Sequence, residues 1–190
     1  MKNTDKTYLP RSIVTGLAYV MKGNDKSGKF FDYWHQVRRD NGKKQTNESE
    51  LLVARANVQI PESGCGIVEI RKFQSYLASL KVAIVVFLFQ TFGKKGDIFF
   101  YGVKELEEIG IKPDKTVNIM YYEESRHFKP ILSLIGASGC KRYCELCNFG
   151  YDNFWHECRE KCVKWSQDNF SRHLARKNDL RHGKTLRNMS

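Results

Sequence analysis

Cys144, Cys147, His156, Cys158 and Cys162 lie in one short stretch, "YCELCNFGYDNFWHECREKC". The chemistry these residue types share is metal ligation. A C-x2-C pair in a tight turn aims two thiolates at one centre, as at the start of zinc ribbons and knuckles. Cys158 and Cys162 are four apart, so on a helix they would share a face. The expected tetrahedral set is Cys144, Cys147 and Cys162, with Cys158 and His156 as alternatives for the fourth place. Spacing alone does not choose between those two. Zinc suits mixed thiolate and imidazole ligands in four-coordination. With every position filled by protein, such a site is structural and has no vacancy for a reacting water. Metal binding would then supply the folding energy of a segment too short to bury a core of its own. Cys140 is expected as a thiol outside the site, and His173 as a solvated histidine on a basic helix.

A second pair of residue types has nucleophilic potential. Cys65, in "SGCGIVEI", precedes an expected helix whose first N–H groups would stabilise a thiolate. His127, in "SRHFKP", opens an expected strand. A cysteine at a helix start with a histidine on a later strand is the layout of papain-like and OTU-like peptidases, active or relic. The usual oxyanion-hole donors before Cys65 and an orienting Asn or Asp after His127 are missing. The competing reading is a small buried residue in a glycine turn and a polar group at a hairpin end.

Lys and Arg number 32 against 21 Asp and Glu, a formal net charge of +11 over 190 residues. Such a surplus favours polyanionic partners, nucleic acid ahead of anionic membrane. Phosphate contacts are assigned to Arg38, Arg39, Lys43 and Lys44, and in the tail to Arg172, Arg176, Lys177 and Arg181. Tyr143, Tyr151, Phe154 and Trp155 would either stack on unpaired bases or form the small core of a metal module. The longest apolar run, "LKVAIVVFLF", falls well short of the ~20 residues of a membrane helix, so no membrane partner is expected. The polar start "MKNTDKTYLPRS" carries no export signal. The expectation is an intracellular chain, nuclear in location, with its six cysteines as thiols or ligands.

The elements that must position these residues suggest an α+β fold. Asn47 and Glu50 have the capping-box offset, which predicts a helix over "ESELLVARANV". Ile67, Ile70, Phe73, Leu77 and Leu80 recur at three- and four-residue steps and predict a second helix. "KVAIVVFLF" and "IFFYG" read as partner strands around the turn "GKKGD". "TVNIMYYE" and "HFKPILSL" read as a hairpin around "ESR", with Pro130 placing the second arm at an edge or a bulge. Two helices and a mostly antiparallel sheet are therefore expected, followed by a linker "IGASG", a small zinc-binding module and a basic helical tail. The corresponding units are a basic, aromatic N-terminal segment (1–46), the α+β domain (47–137), the zinc module (138–166) and the tail (167–190). The pattern before residue 46 does not decide between helix and strand.

"LPRSIV", "RRDNGKKQ", "PESGCGIVEIRKFQSYL", "VNIMYYEESRHFKPILSL" and "YCELCNFGYDNFWHECREKC" occur in that order. The series, over residues 8 to 165, resembles the region preceding the exonuclease domain in protein-primed family B DNA polymerases of Maverick (Polinton) mobile elements. The family replicates DNA with an editing exonuclease and a polymerase core, both of which hold magnesium on acidic clusters. This sequence has no D-x-E in a strand context and no "DTDS"-like palm motif. The resemblance therefore implies a DNA-associated N-terminal fragment whose partners are DNA and the downstream catalytic domains. In the relatives the cysteine segment often runs on as C-x3-C-x2-C after the histidine. Here Trp165 stands at the last position, which keeps the four-ligand set and removes a ligand from any second site.

Overall fold

The computed structural model of the chain describes residues 6–39, 42–93, 98–145, 147–153 and 156. Four helices come first: α1 (Tyr8–Lys22), α2 (Lys29–Val37), α3 (Lys43–Arg55) and α4 (Ile67–Ala78). Strands β1 (Val82–Leu88) and β2 (Ile98–Tyr101), helix α5 (Gly102–Glu108), and strands β3 (Lys115–Tyr122) and β4 (His127–Ile131) follow. A short helix α6 (Leu134–Ser138) then leads into β5 (Arg142–Cys144) and β6 (Phe149–Tyr151). The fold is α+β, with a four-stranded sheet in the order β2-β1-β3-β4 and a separate two-stranded β5-β6 ribbon. The β1–β2 and β3–β4 pairs are antiparallel, and the central pair β1–β3 is parallel. β4 is an edge strand, the position in which Pro130 removes no needed ladder donor.

Central β1 is buried from Val82 to Phe87 because both faces of the sheet are covered. Val82, Ile84 and Val86 pack with Val117, Ile119 and Phe128 in the main core, which also holds Leu9 and Ile13 of α1, Trp34 of α2 and Phe73 of α4. The alternate residues Val85 and Phe87 join Met120, Ile131 and Phe92 in a second cluster on the other face. Leu134 of α6 and Tyr143 of β5 pack against that second cluster. Residues 8–37, undecided by their pattern, thus form two helices joined by a short turn segment, and both helices contribute to the main core. At Gly16 α1 lies so close to β3 that a Cβ there would come within 2.5 Å of Val117 Cγ1.

Among the described residues six helices form where two were expected, and several boundaries differ from expectation. α3 begins at Lys43 behind a Gly42 N-cap, so Asn47 and Glu50 lie inside the helix. Buried Gln45 accounts for the earlier start: its Nε2 donates to Thr15 Oγ1 and to the Val37 carbonyl, both at 3.1 Å, tying the first turn of α3 to α1 and α2. The segment "IGASG", expected as a linker, forms α6, with the Ser133 hydroxyl capping it by accepting from the Gly136 N–H at 3.1 Å. α4 starts at Ile67 as predicted but ends at Ala78, which leaves Leu80, the last residue of its apolar period, outside the helix and exposed. Its N-terminus is closed by Glu69, whose carboxylate accepts from the Gly66 N–H at 2.7 Å.

Candidate metal centre and basic surface

Cys144 is the last residue of β5 and pairs with Phe149 across the ribbon. Cys147 sits in the connecting turn, and Asn148 takes the left-handed backbone conformation (φ +49°) that starts the return strand. Asn is among the few residues that adopt this region readily. The Tyr143 hydroxyl donates to Asn148 Oδ1, so a β5 side chain braces the turn residue that follows Cys147. Burial, with the charges of Glu145 and the two cysteines behind it, pushes the Tyr143 pKa up, so the hydroxyl stays a donor.

The ribbon is seated on the second face of the sheet. The Tyr143 ring stacks on Phe92 at 5.5 Å, and the Gly150 N–H donates to the Gly93 carbonyl at 3.1 Å. A Cβ at Gly150 would meet Cys140 Sγ at 2.9 Å and Ser138 Cβ at 3.0 Å, so the close approach requires glycine. Cys140 itself bonds through its Sγ to the Ser138 carbonyl at 3.5 Å, outside the ligand group.

Phe149 and Tyr151, two residues apart, project from one face of β6. The His156 ring stacks on both, at 5.4 Å and 4.6 Å, and this carries its imidazole to the cysteine turn. Cys147 Sγ and His156 Nε2 are 2.8 Å apart. Ligand atoms of Cys144, Cys147 and His156 all lie within 4.8 Å of one another, each residue half-buried. Donor atoms around a tetrahedral ion with bonds of about 2.0–2.3 Å are roughly 3.3–3.8 Å apart, so the three donors surround a space for one ion once the 2.8 Å Cys147–His156 contact opens by about 1 Å or less. Two thiolates and an imidazole suit a borderline or soft transition metal and not calcium or magnesium, which take oxygen ligands. The group can therefore hold a metal ion. Cys158 and Cys162, like Phe154 and Trp155, lie outside the described residues. Tyr143 and Tyr151, considered as base-stacking groups, are engaged inside the ribbon.

Arg38 and Arg39 follow α2, and Lys43 and Lys44 open α3; all four are exposed. The Gly42 N–H donates to the Arg39 carbonyl at 3.0 Å, which folds the two basic pairs into one tight junction. No acidic residue occupies the first turn of α3. Lys44 pairs with Glu48 at 2.7 Å and lies over the Tyr33 ring at 5.6 Å. Burial, then the charge of Glu48 and a hydrogen bond to it, pushes the Tyr33 pKa up to about 12. Arg172, Arg176, Lys177 and Arg181 lie outside the described residues.

Cys65 lies two residues before α4, as expected, but within the main core at 7% exposure. Burial and then Glu69 push its thiol from an ordinary value of 9.0 up to about 12. The helix start that would stabilise a thiolate is already occupied by the Glu69 carboxylate. His127 begins β4, and its ring packs edge-on against Tyr8 at 4.1 Å. Among the described residues no helix is long and apolar enough to cross a membrane. The bracing of Cys147 through Asn148 and Tyr143 is not evident from metal-ligand spacing; the Asn directly after C-x2-C was its one local signal.

No protein-family model, curated protein or solved structure matches the chain.

Proposed function

We propose that the chain is a DNA-associated module of a protein-primed family B DNA polymerase of the Maverick (Polinton) kind. Its C-terminal ribbon is held by structural zinc. The zinc reading is supported by the meeting of Cys144, Cys147 and His156, two thiolates and an imidazole. Cys162 is the fourth ligand, because five residues separate it from His156, a spacing common in zinc modules. Bound zinc supplies charge and cross-linking and takes part in no reaction. The chain's own groups do the rest: Tyr143 and Asn148 set the turn, and Phe149 and Tyr151 hold the imidazole.

The DNA reading rests above all on one observation, the exposed junction of Arg38, Arg39, Lys43 and Lys44. Contacts from such groups go to phosphates and carry affinity without sequence preference. A nuclear location goes with DNA as the partner; downstream exonuclease and polymerase domains as partners belong to the same proposal and are implied by the resemblance alone. Its test is a variant with Arg38, Arg39 and Lys43 all replaced by Ala. The slope of log affinity against log salt for duplex DNA should shrink by about 0.9 for each residue removed. An unchanged slope would remove the junction from the interface.

A further inference from the structure

Along α2 runs a groove of about 750 Å3, lined by Lys29, Phe30, Tyr33 and Gln36 and completed by Met21 of α1 and Lys44 of α3. Lys29, Tyr33 and Gln36 recur at helical steps and share a face. Trp34 and Val37 of the same helix turn into the core instead. Folding leaves much apolar surface in the groove: Phe30 is 44% exposed and Met21 42%. The polar groups around it are held in place. The Tyr33 hydroxyl is bonded to Glu48, and Lys44 is fixed between Glu48 and the Tyr33 ring. Asp32 and Gln36 add acceptors and an amide donor for the polar edge of a ligand.

Asp32 and Glu48 are the acidic groups beside the groove and balance Lys29 and Lys44, so the cationic surplus lies with the exposed Arg38 and Arg39 at the end of α2. An exposed aromatic face next to that surplus matches a ligand with a flat apolar surface and adjacent negative charge. Its volume lies in the range of small-ligand sites. In duplex DNA the base faces are covered by their neighbours, whereas in a single strand they are open to aromatic side chains. We infer that this groove binds an unpaired DNA strand, with one base stacked on Phe30 and the flanking phosphates on Lys29 and on the Arg38–Arg39 pair. The inference rests on the DNA reading above and names the form of DNA that is held.

The test is fluorescence anisotropy of the full chain with labelled oligothymidine and with a duplex of equal length. Phe30→Ala should weaken oligothymidine binding by about 5- to 150-fold, the range of one lost stacking contact, and leave duplex binding unchanged. Phe30→Trp should restore it. Phe30 is exposed, so the variant is expected to keep its fold, with an unchanged thermal melt as the check. Equal oligothymidine affinity for wild type and Phe30→Ala would overturn the inference, as would a parallel loss with duplex, and DNA binding itself would stand. Absence of binding to either form at low salt would overturn both readings. Phe30-dependent binding to anionic vesicles without binding to oligothymidine would also overturn the inference.

Discussion

Tyr143 acts on the cysteine turn through Asn148. Its hydroxyl braces Asn148, the left-handed residue directly after Cys147, and its ring stacks on Phe92 of the sheet. Removing such an outer partner typically lowers metal affinity 10- to 100-fold. Tyr143→Phe should therefore lose about that much in chelator competition, with the sheet still folded by circular dichroism; unchanged affinity would separate the brace from the metal. Zinc-replete wild-type chain should carry about one equivalent of zinc, and Cys147→Ser substantially less. The C-x2-C turn is legible in the sequence because ligand spacing is local. The Tyr143–Asn148 brace is not, because it depends on ribbon register.

Cys65 illustrates the reverse case. Its type and place at a helix start suggest a nucleophile, but neighbours distant in sequence decide its ionisation. The native thiol keeps its proton up to about pH 12, while the unfolded thiol ionises near its ordinary value of 9.0. The unfolded state sheds its proton first, so this group's stabilisation is complete below about pH 9 and is lost as pH rises toward 12. Two outcomes follow: Cys65 should resist alkylation at pH 7 in the folded chain, and the midpoint of urea unfolding should fall above pH 9. Rapid labelling of native Cys65 at pH 7 would contradict the burial.

Among the elements, Gln74 adds a polar coupling of α4 to β1 beside their apolar packing. β2 pairs with β1 only from Val85 onward, because the chain turns into α5 after Tyr101. The Gln74 side-chain amide serves the stretch before it: Nε2 donates to the Val82 carbonyl at 3.0 Å, and Oε1 accepts from the Ile84 N–H at 2.6 Å. Both bonds are buried. Gln74→Leu fills a similar volume but leaves a buried carbonyl and a buried N–H unmatched, at a cost of about 2–4 kcal/mol in urea unfolding. A change below about 0.5 kcal/mol would mean that water or a rearranged strand satisfies both groups. α4, β1 and the β3–β4 hairpin are legible in the sequence because their apolar periods are regular and their turns short. α1 and α2 are less so. Both are amphipathic, but the β-branched and aromatic residues of "SIVTGLAYV" suit a strand as well as a helix, and some aromatics serve packing between helices, as where Tyr19 meets Trp34 at 5.2 Å. The true start of α3 is hidden for a related reason, since Gln45 is fixed by partners on α1 and α2.

At the scale of the molecule, the two faces of the sheet divide the tasks. One face carries α1 to α4 and, at the α2–α3 junction, the exposed cations; the other carries Val103 of α5, α6 and the ribbon of candidate ligands. The surplus of charge, +11 in all, and the basic cluster at residues 38–44 are legible in the sequence, but that the cluster joins two helices and stands exposed is visible only in three dimensions. DNA association is the central claim, and its most direct measurement is duplex affinity as a function of salt. Four phosphate contacts from Arg38, Arg39, Lys43 and Lys44 predict a log–log slope of about −3.6, steeper if the basic tail takes part. A slope between zero and about −1, or no binding at 50 mM salt, would contradict the account.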